Sequence, residues 1–165
     1  MPTNMELAFA ERPEVYDAWV ALNTSVKEGM DLRRYELATF AAAQRLRSSY
    51  CSLAHGKILV ERFDEPVVSI ATDRASSGLD DVDLAVMAFA EKIVDDTGTI
   101  GEDDLQHLRD LGLSEKDILD VVLAATVRCF FAKTLDALCT LPDSTYSELP
   151  EDLRAVLVVG RPIAD

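Results

Sequence analysis

Apolar residues recur at helical spacing along most of the chain, and the alternation of a half-buried strand is almost absent. Behind Pro13, which suits a first helical position, Val15, Trp19, Leu22 and Val26 follow at intervals of four, three and four, and Gly29 closes that helix. Asp31 is placed to cap a second helix through Leu32, Tyr35, Leu37, Phe40 and the run Ala41, Ala42, Ala43. Arg45-Leu46-Arg47-Ser48-Ser49 reads as a break, with Ser48 capping a new helix through His55, Ile58 and Leu59 that fades near Arg62. Pro66 opens a short helix through Ala71, and Ala75-Ser76-Ser77-Gly78 is a loop. Asp80 or Asp81 then caps a helix carrying Val82, Ala85, Val86, Phe89 and Ile93.

Gly101 and Gly112 bracket a brief helix from Glu102 to Leu111. Ser114 with Asp117 forms a capping-box variant at the start of the longest apolar helix, Glu115 to Leu138. Pro142 and Pro150 flank a more polar stretch, and Leu153 to Val159 is a last apolar run. These elements predict one all-α domain of about six to eight helices over residues 1–165, since 165 residues suit a single core. Residues 141–165 form a tail that packs either on the body or on a neighbouring subunit.

Composition narrows the function classes. No run of about 18 apolar residues occurs and no signal peptide is visible at Met1-Pro2-Thr3-Asn4-Met5-Glu6, so the expectation is a cytoplasmic protein with no membrane partner. A net charge of −14, from 16 Lys and Arg against 30 Asp and Glu, repels phosphate backbones and argues against nucleic acid as a partner. Three cysteines, Cys51, Cys129 and Cys139, do not make a disulfide framework. The two histidines, His55 and His107, stand too far apart in sequence for a metal motif, and no Gly-rich phosphate loop or Gly-x-Ser-x-Gly is present. No metal and no cofactor are expected. His107, in the acidic stretch Glu102 to Asp110, is expected to be exposed.

The chemistry concentrates between Glu36 and His55, ending in Ser48-Ser49-Tyr50-Cys51-Ser52-Leu53-Ala54-His55. This stretch resembles the carboxymuconolactone decarboxylase-like (AhpD-like) superfamily, which includes alkylhydroperoxidases. Its members carry a glutamate, eleven residues, Cys-x-x-Cys, three residues and a histidine, and Glu36, position 48, Cys51 and His55 fall in that register without a gap. Arg12-Pro13-Glu14, Leu79-Asp80 running into Ala88-Phe89-Ala90-Glu91-Lys92, and Leu113-Ser114-Glu115 running into Ile118-Leu119 extend the resemblance over about residues 6–140. Ala132-Lys133 stands where relatives often have Asn-Arg. The resemblance implies an AhpD-like helical fold, a homo-oligomer (dimer, trimer or hexamer) and a proton relay in which Glu36 joins His55 and Cys51.

Cys51 in the first turn of a helix meets free N–H groups and a dipole that favour an anion, and His55, four residues on, lies on the same face one turn away. Along one straight helix Glu36 and His55 would lie about 28 Å apart, at roughly 1.5 Å per residue, so the relay requires the chain to turn back near Arg47 to Ser49. Ser48 stands at the first cysteine of the redox pair and cannot form its disulfide. Cys129 and Cys139 are expected to pack as small buried side chains. Tyr50 either packs or lines a pocket.

Three functions fit these residues. The first is an enzyme of the alkylhydroperoxidase-like oxidoreductase class, reducing a small hydroperoxide with Cys51 as nucleophile, His55 as base, Glu36 orienting it and an external thiol as reductant. The second is a cofactor-free lyase acting on a carboxylated lactone through Glu36 and His55, with Arg45, Arg47 or Arg62 as candidates for the substrate's charge. The third is a non-enzymatic oligomeric binding scaffold that has lost the redox pair.

Overall fold

A computed structural model describes residues 2–165. Among these residues nine α-helices and three 3₁₀ turns form an all-α domain. In chain order the helices are α1 (Asn4–Ala8), α2 (Pro13–Gly29), α3 (Leu32–Arg45), α4 (Ser49–Phe63), α5 (Val67–Thr72), α6 (Asp81–Asp95), α7 (Glu102–Asp110), α8 (Glu115–Ala137) and α9 (Glu151–Leu157). The caps follow the sequence. Asp31, Asp80 and Ser114 each accept a backbone N–H two or three residues into their helices, and Ser114 and Asp117 complete a capping box. Helix α1 was invisible to periodicity because five residues hold barely one turn; Thr3 and Glu6 close a capping box around it.

The fold is organised around α3. Nine consecutive residues, Tyr35 to Ala43, are buried on every side of this helix. Small residues make that possible, because Ala38, Ala41, Ala42 and Ala43 let α4, α6 and α8 approach closely. Leu37 and Phe40 join Leu53, Leu59, Val86, Met87, Val121 and Ala125 in the main core. A second cluster, Phe9, Tyr50, Cys51, Phe131 and Leu135, fills the end where α1, α4 and α8 meet. The predicted apolar stripe of α2 is only partly covered: Val26 is buried, whereas Leu22 is exposed.

Helix α3 reverses into α4 at Leu46-Arg47-Ser48. Arg47 takes the left-handed conformation at φ 56°, Ser48 N–H reaches back to Ala43 O at 3.0 Å, and Arg47 N–H reaches Gln44 O at 3.0 Å. This is a Schellman stop with arginine where glycine is usual. Cys139 at φ 58° ends α8 in the same way, with Thr140 N–H on Leu135 O. Ser48 occupies the N-cap position of α4, but its side chain makes no capping bond, contrary to the capping role read from the sequence.

The C-terminal segment lies on its own chain. Leu157 is fully buried against Gly56 of α4, Gln44 Nε2 donates to Val156 O at 3.1 Å, and Gly160 N–H donates to Ser49 Oγ at 2.8 Å. A Cβ on Gly160 would stand 2.0 Å from the carbonyl oxygen of Arg47, so only glycine lets the tail press on the α3–α4 reversal. Gly160→Ala is therefore expected to lower stability by about 1–3 kcal/mol through forced backbone displacement. Gly29→Ala, whose Cβ would meet only ordinary contacts at 3.7 Å, serves as the control and should stay within about 0.5 kcal/mol. Denaturant unfolding of both variants checks this.

Candidate active site

The reversal at Arg47 brings the polar residues of α3 and α4 together inside the bundle. His55 Nδ1 lies 2.6 Å from Glu36 Oε2 and 3.1 Å from Thr39 Oγ1. Glu36 has no exposed surface and His55 retains 6%. Lys27 reaches in from α2 and places Nζ 3.0 Å from Glu36 Oε1, in an ion pair whose alignment falls short of a hydrogen bond. The same ammonium lies over the ring of Tyr35, 5.3 Å from its centre.

These contacts fix the imidazole tautomer. Thr39 donates its hydroxyl proton to Tyr35 O at 2.7 Å, so toward His55 its oxygen accepts. An ionised carboxylate can only accept as well. Nδ1 therefore carries the proton, and Nε2 is left with the lone pair of a base. Burial first, and then the charge of Arg128, push the imidazole down to about 4, with the Glu36 hydrogen bond opposing them. Burial also works against the charge of Glu36, but its bond to His55 and the nearby Lys27 outweigh this and hold the carboxyl below its usual range. At neutral pH the pair is an ionised Glu36 and a neutral His55.

Cys51 lies one turn before His55 on α4, in the first turn of the helix, and is 1% exposed. Its polar partner is Arg128 of α8, whose Nη1 donates to Sγ at 3.6 Å. Arg128 Nη2 donates to the Tyr35 hydroxyl at 3.4 Å, and Tyr35 donates onward to Asn23 Oδ1 at 2.6 Å. The guanidinium is 4% exposed, and its Nε has no partner. Trp19 and Phe131, stacked on each other with ring centres 3.8 Å apart, lie beside it at 5.8 and 5.7 Å. Beside the stack rather than over a ring face, the guanidinium gains little cation–π energy against the several kcal/mol that desolvating such an ion costs.

Sequence reasoning missed Arg128, although a signal existed. Ile118, Val121, Ala125, Arg128, Ala132 and Leu135 are all buried and follow at spacings of three and four, which puts the arginine on the core stripe of α8. The arginines nearest the motif in sequence lie elsewhere: Arg45 pairs with Asp95 at 2.5 Å on the surface, and Arg47 and Arg62 are exposed.

Other candidates are placed differently. Ser48 is fully buried, and its Oγ, beside the Asp136 carboxylate, makes no well-formed hydrogen bond. Tyr50 packs in the second core cluster and ties the chain ends, donating its hydroxyl to Asp143 and accepting from Met5 N–H at 3.3 Å. Cys129 is only half-buried and Cys139 is exposed, which corrects the expectation that both pack inside. The Schellman stop turns Cys139 out of the helix, and Cys129 lies in a shallow groove with Phe130, Lys133 and Leu138. His107 is exposed. Among the described residues, no group of three or more His, Cys, Asp or Glu is placed to hold a metal ion, and no helix is long and apolar enough to cross a membrane.

No protein-family model and no curated protein matches the chain. Among solved structures it is similar to an alkylhydroperoxidase AhpD core, peroxidase-related protein of Ralstonia eutropha JMP134, with a TM-score of 0.78 and 20% identity over 96% of this chain and 83% of that one. It is also similar to a peroxidase-related protein of Silicibacter sp. TM1040, with a TM-score of 0.78 and 20% identity over 86% of this chain and 76% of that one. The chain has the AhpD-like fold.

A neutral, buried His55 links stability to pH. The unfolded chain takes up the imidazole proton below about 6.5, the folded chain only near 4, so this contribution is complete above 6.5 and is lost as pH falls through about 4. Denaturant unfolding over that interval should show wild type losing up to about 3 kcal/mol more than His55→Gln. Parallel pH profiles would refute the neutral state.

Proposed function

We propose that the protein is a thiol-dependent peroxidase that uses Cys51 as its single redox-active cysteine. The observation carrying this reading is the Lys27–Glu36–His55 chain, which leaves a base, Nε2, on the helix face that also bears Cys51. His55 Nε2 relays the thiol proton away from Cys51, and the Glu36 carboxylate at 2.6 Å balances the imidazolium while it lasts. The thiolate attacks the terminal oxygen of a hydroperoxide. An S–O bond forms, the O–O bond breaks, and His55 Nε2 passes the peroxide's own proton to the departing alkoxide. Cysteine is oxidised to a sulfenate, which takes up a proton as sulfenic acid, and the hydroperoxide is reduced to an alcohol. With serine at position 48, an external thiol condenses with the sulfenic acid to release water, and a second thiol regenerates Cys51 as an external disulfide leaves.

Reactants reach Cys51 when its cover opens. That cover is Phe9 together with α1, a five-residue helix that buries none of its residues and is tied down at Asn4 and Met5. The lyase reading needs a cation free to take a substrate carboxylate. Arg128 already serves Cys51 and Tyr35, and Arg45, Arg47 and Arg62 point elsewhere, which favours the thiol reading. Exposed Leu22 on α2 with Phe130 and Leu138 beside α8 support a homo-oligomer.

Peroxide consumption with a small thiol, combined with mass spectrometry, tests the proposal. Wild type should turn over and yield a trappable sulfenic acid on Cys51, and Cys51→Ser should do neither. His55→Gln should slow sulfenic acid formation by about 10²–10⁴-fold. A Cys51 inert to peroxide would overturn it, with turnover of carboxylated lactones then pointing to the lyase and inertness to both pointing to a binding scaffold.

A further inference from the structure

Among the described residues every buried carboxylate has a cation beside it. Asp83 meets Arg33 at 2.5 Å, Asp120 meets Lys116 at 2.5 Å, and Glu36 meets Lys27 at 3.0 Å. Arg128 is the exception among the described residues: a buried cation with no carboxylate within 4.0 Å. Its hydrogen-bond acceptors are a phenol oxygen and the sulfur of Cys51, and its Nε–H points at nothing. A guanidinium cannot shed its proton to escape this cost, so the compensating charge must come from a neighbour. The Tyr35 oxygen keeps its proton in a bond to Asn23, which leaves Sγ.

We infer that Arg128 is the counter-ion of Cys51: the guanidinium holds the sulfur as a thiolate and then carries the negative charge of the sulfenate that peroxide attack produces. This rests on the peroxidase reading for the second step only; the ion pair stands without it. The groups around Sγ agree. Tyr35 and Glu36 come from α3, with Glu36 already matched by Lys27 and His55; His55 is the neighbour on α4; Tyr146 comes from the 3₁₀ turn Ser144–Glu148. Arg128 from α8 is the cation in contact with the sulfur. The oxygen-transfer step then balances without a free charge appearing: thiolate plus hydroperoxide gives sulfenate plus alcohol. His55 Nε2 passes the peroxide proton to the leaving alkoxide, and the same guanidinium pairs the anion before and after.

Such a counter-ion gives the chain a reactive thiolate in the absence of a neighbouring cysteine, at the cost of no extra group near Ser48. Trp19 and Phe131, stacked on each other beside the guanidinium, keep water and competing anions away from it.

The test is made on the full chain carrying Cys129→Ser and Cys139→Ser, so that Cys51 is its one thiol. Ultraviolet thiolate absorbance is followed across pH, with Cys51→Ser added to this background as the blank. The parent should show thiolate at neutral pH; its absence there would overturn the inference with no further variant needed. Arg128→Met, verified as folded by circular dichroism, should require a pH about 1–3 units higher to form thiolate, and Arg128→Lys should fall between the two. Sulfenic acid formation at neutral pH should slow by about tenfold or more in Arg128→Met. A folded Arg128→Met that keeps the parent's thiolate profile would overturn the assignment. Thiolate that depends on Arg128 but does not react with peroxide would support the ion pair while removing the peroxidase reading.

Discussion

A carboxylate with no exposed surface, set on the helix against which α2, α4, α6 and α8 pack, cannot remain ionised alone. Glu36 is that carboxylate, and its neighbours in the fold follow from what it needs. Lys27 must arrive from α2 and His55 from α4, so both helices are bound to pass the same turn of α3. The second requirement brings α4 back along α3 and gives the left-handed Arg47 its purpose. The strain of a non-glycine residue in that conformation, about 1–2 kcal/mol, is set against closure of that ion chain. The tail adds its own pressure through Gly160, which fits against the Arg47 carbonyl only because it has no side chain.

Two centres of charge result, and His55 stands between them. Glu36 favours a proton on the imidazole, while burial and Arg128 oppose one. The balance leaves a neutral ring pinned through Nδ1, which is the form that can accept a proton through Nε2. Arg128 meanwhile lies against Cys51, so the guanidinium that opposes a proton on His55 is also the cation beside the sulfur. The site separates its roles by giving the carboxylate to the histidine and the guanidinium to the cysteine.

Much of this arrangement was legible in the residues. Asp31, Asp80 and Ser114 marked helix starts that their side chains do cap, and the turn demanded between Glu36 and His55 lies where Arg45 to Ser49 weakened the helical pattern. Spacing alone put Cys51 and His55 on one face. What stayed hidden depends on contacts between elements remote in sequence. Arg128 meets Cys51 across 77 positions, and a single arginine in an apolar helix draws no attention unless its place on the core stripe is counted. Lys27 carries no sequence signal beyond its place in the last turn of α2, and the exposure of Cys129 is set by which face of α8 the rest of the chain leaves open. Ser48 had the residue type and position of a cap, but its buried hydroxyl makes no capping bond.

The central claim is that the buried carboxylate and hydroxyl fix His55 as a neutral ring protonated on Nδ1. Nitrogen-15 NMR of the imidazole at neutral pH measures this directly, with His107→Gln removing the one other histidine. The account predicts a protonated Nδ1 and an unprotonated Nε2, with both signals unchanged until the pH nears about 4. A cationic ring at neutral pH, or a proton on Nε2, would contradict it and leave Cys51 without its base.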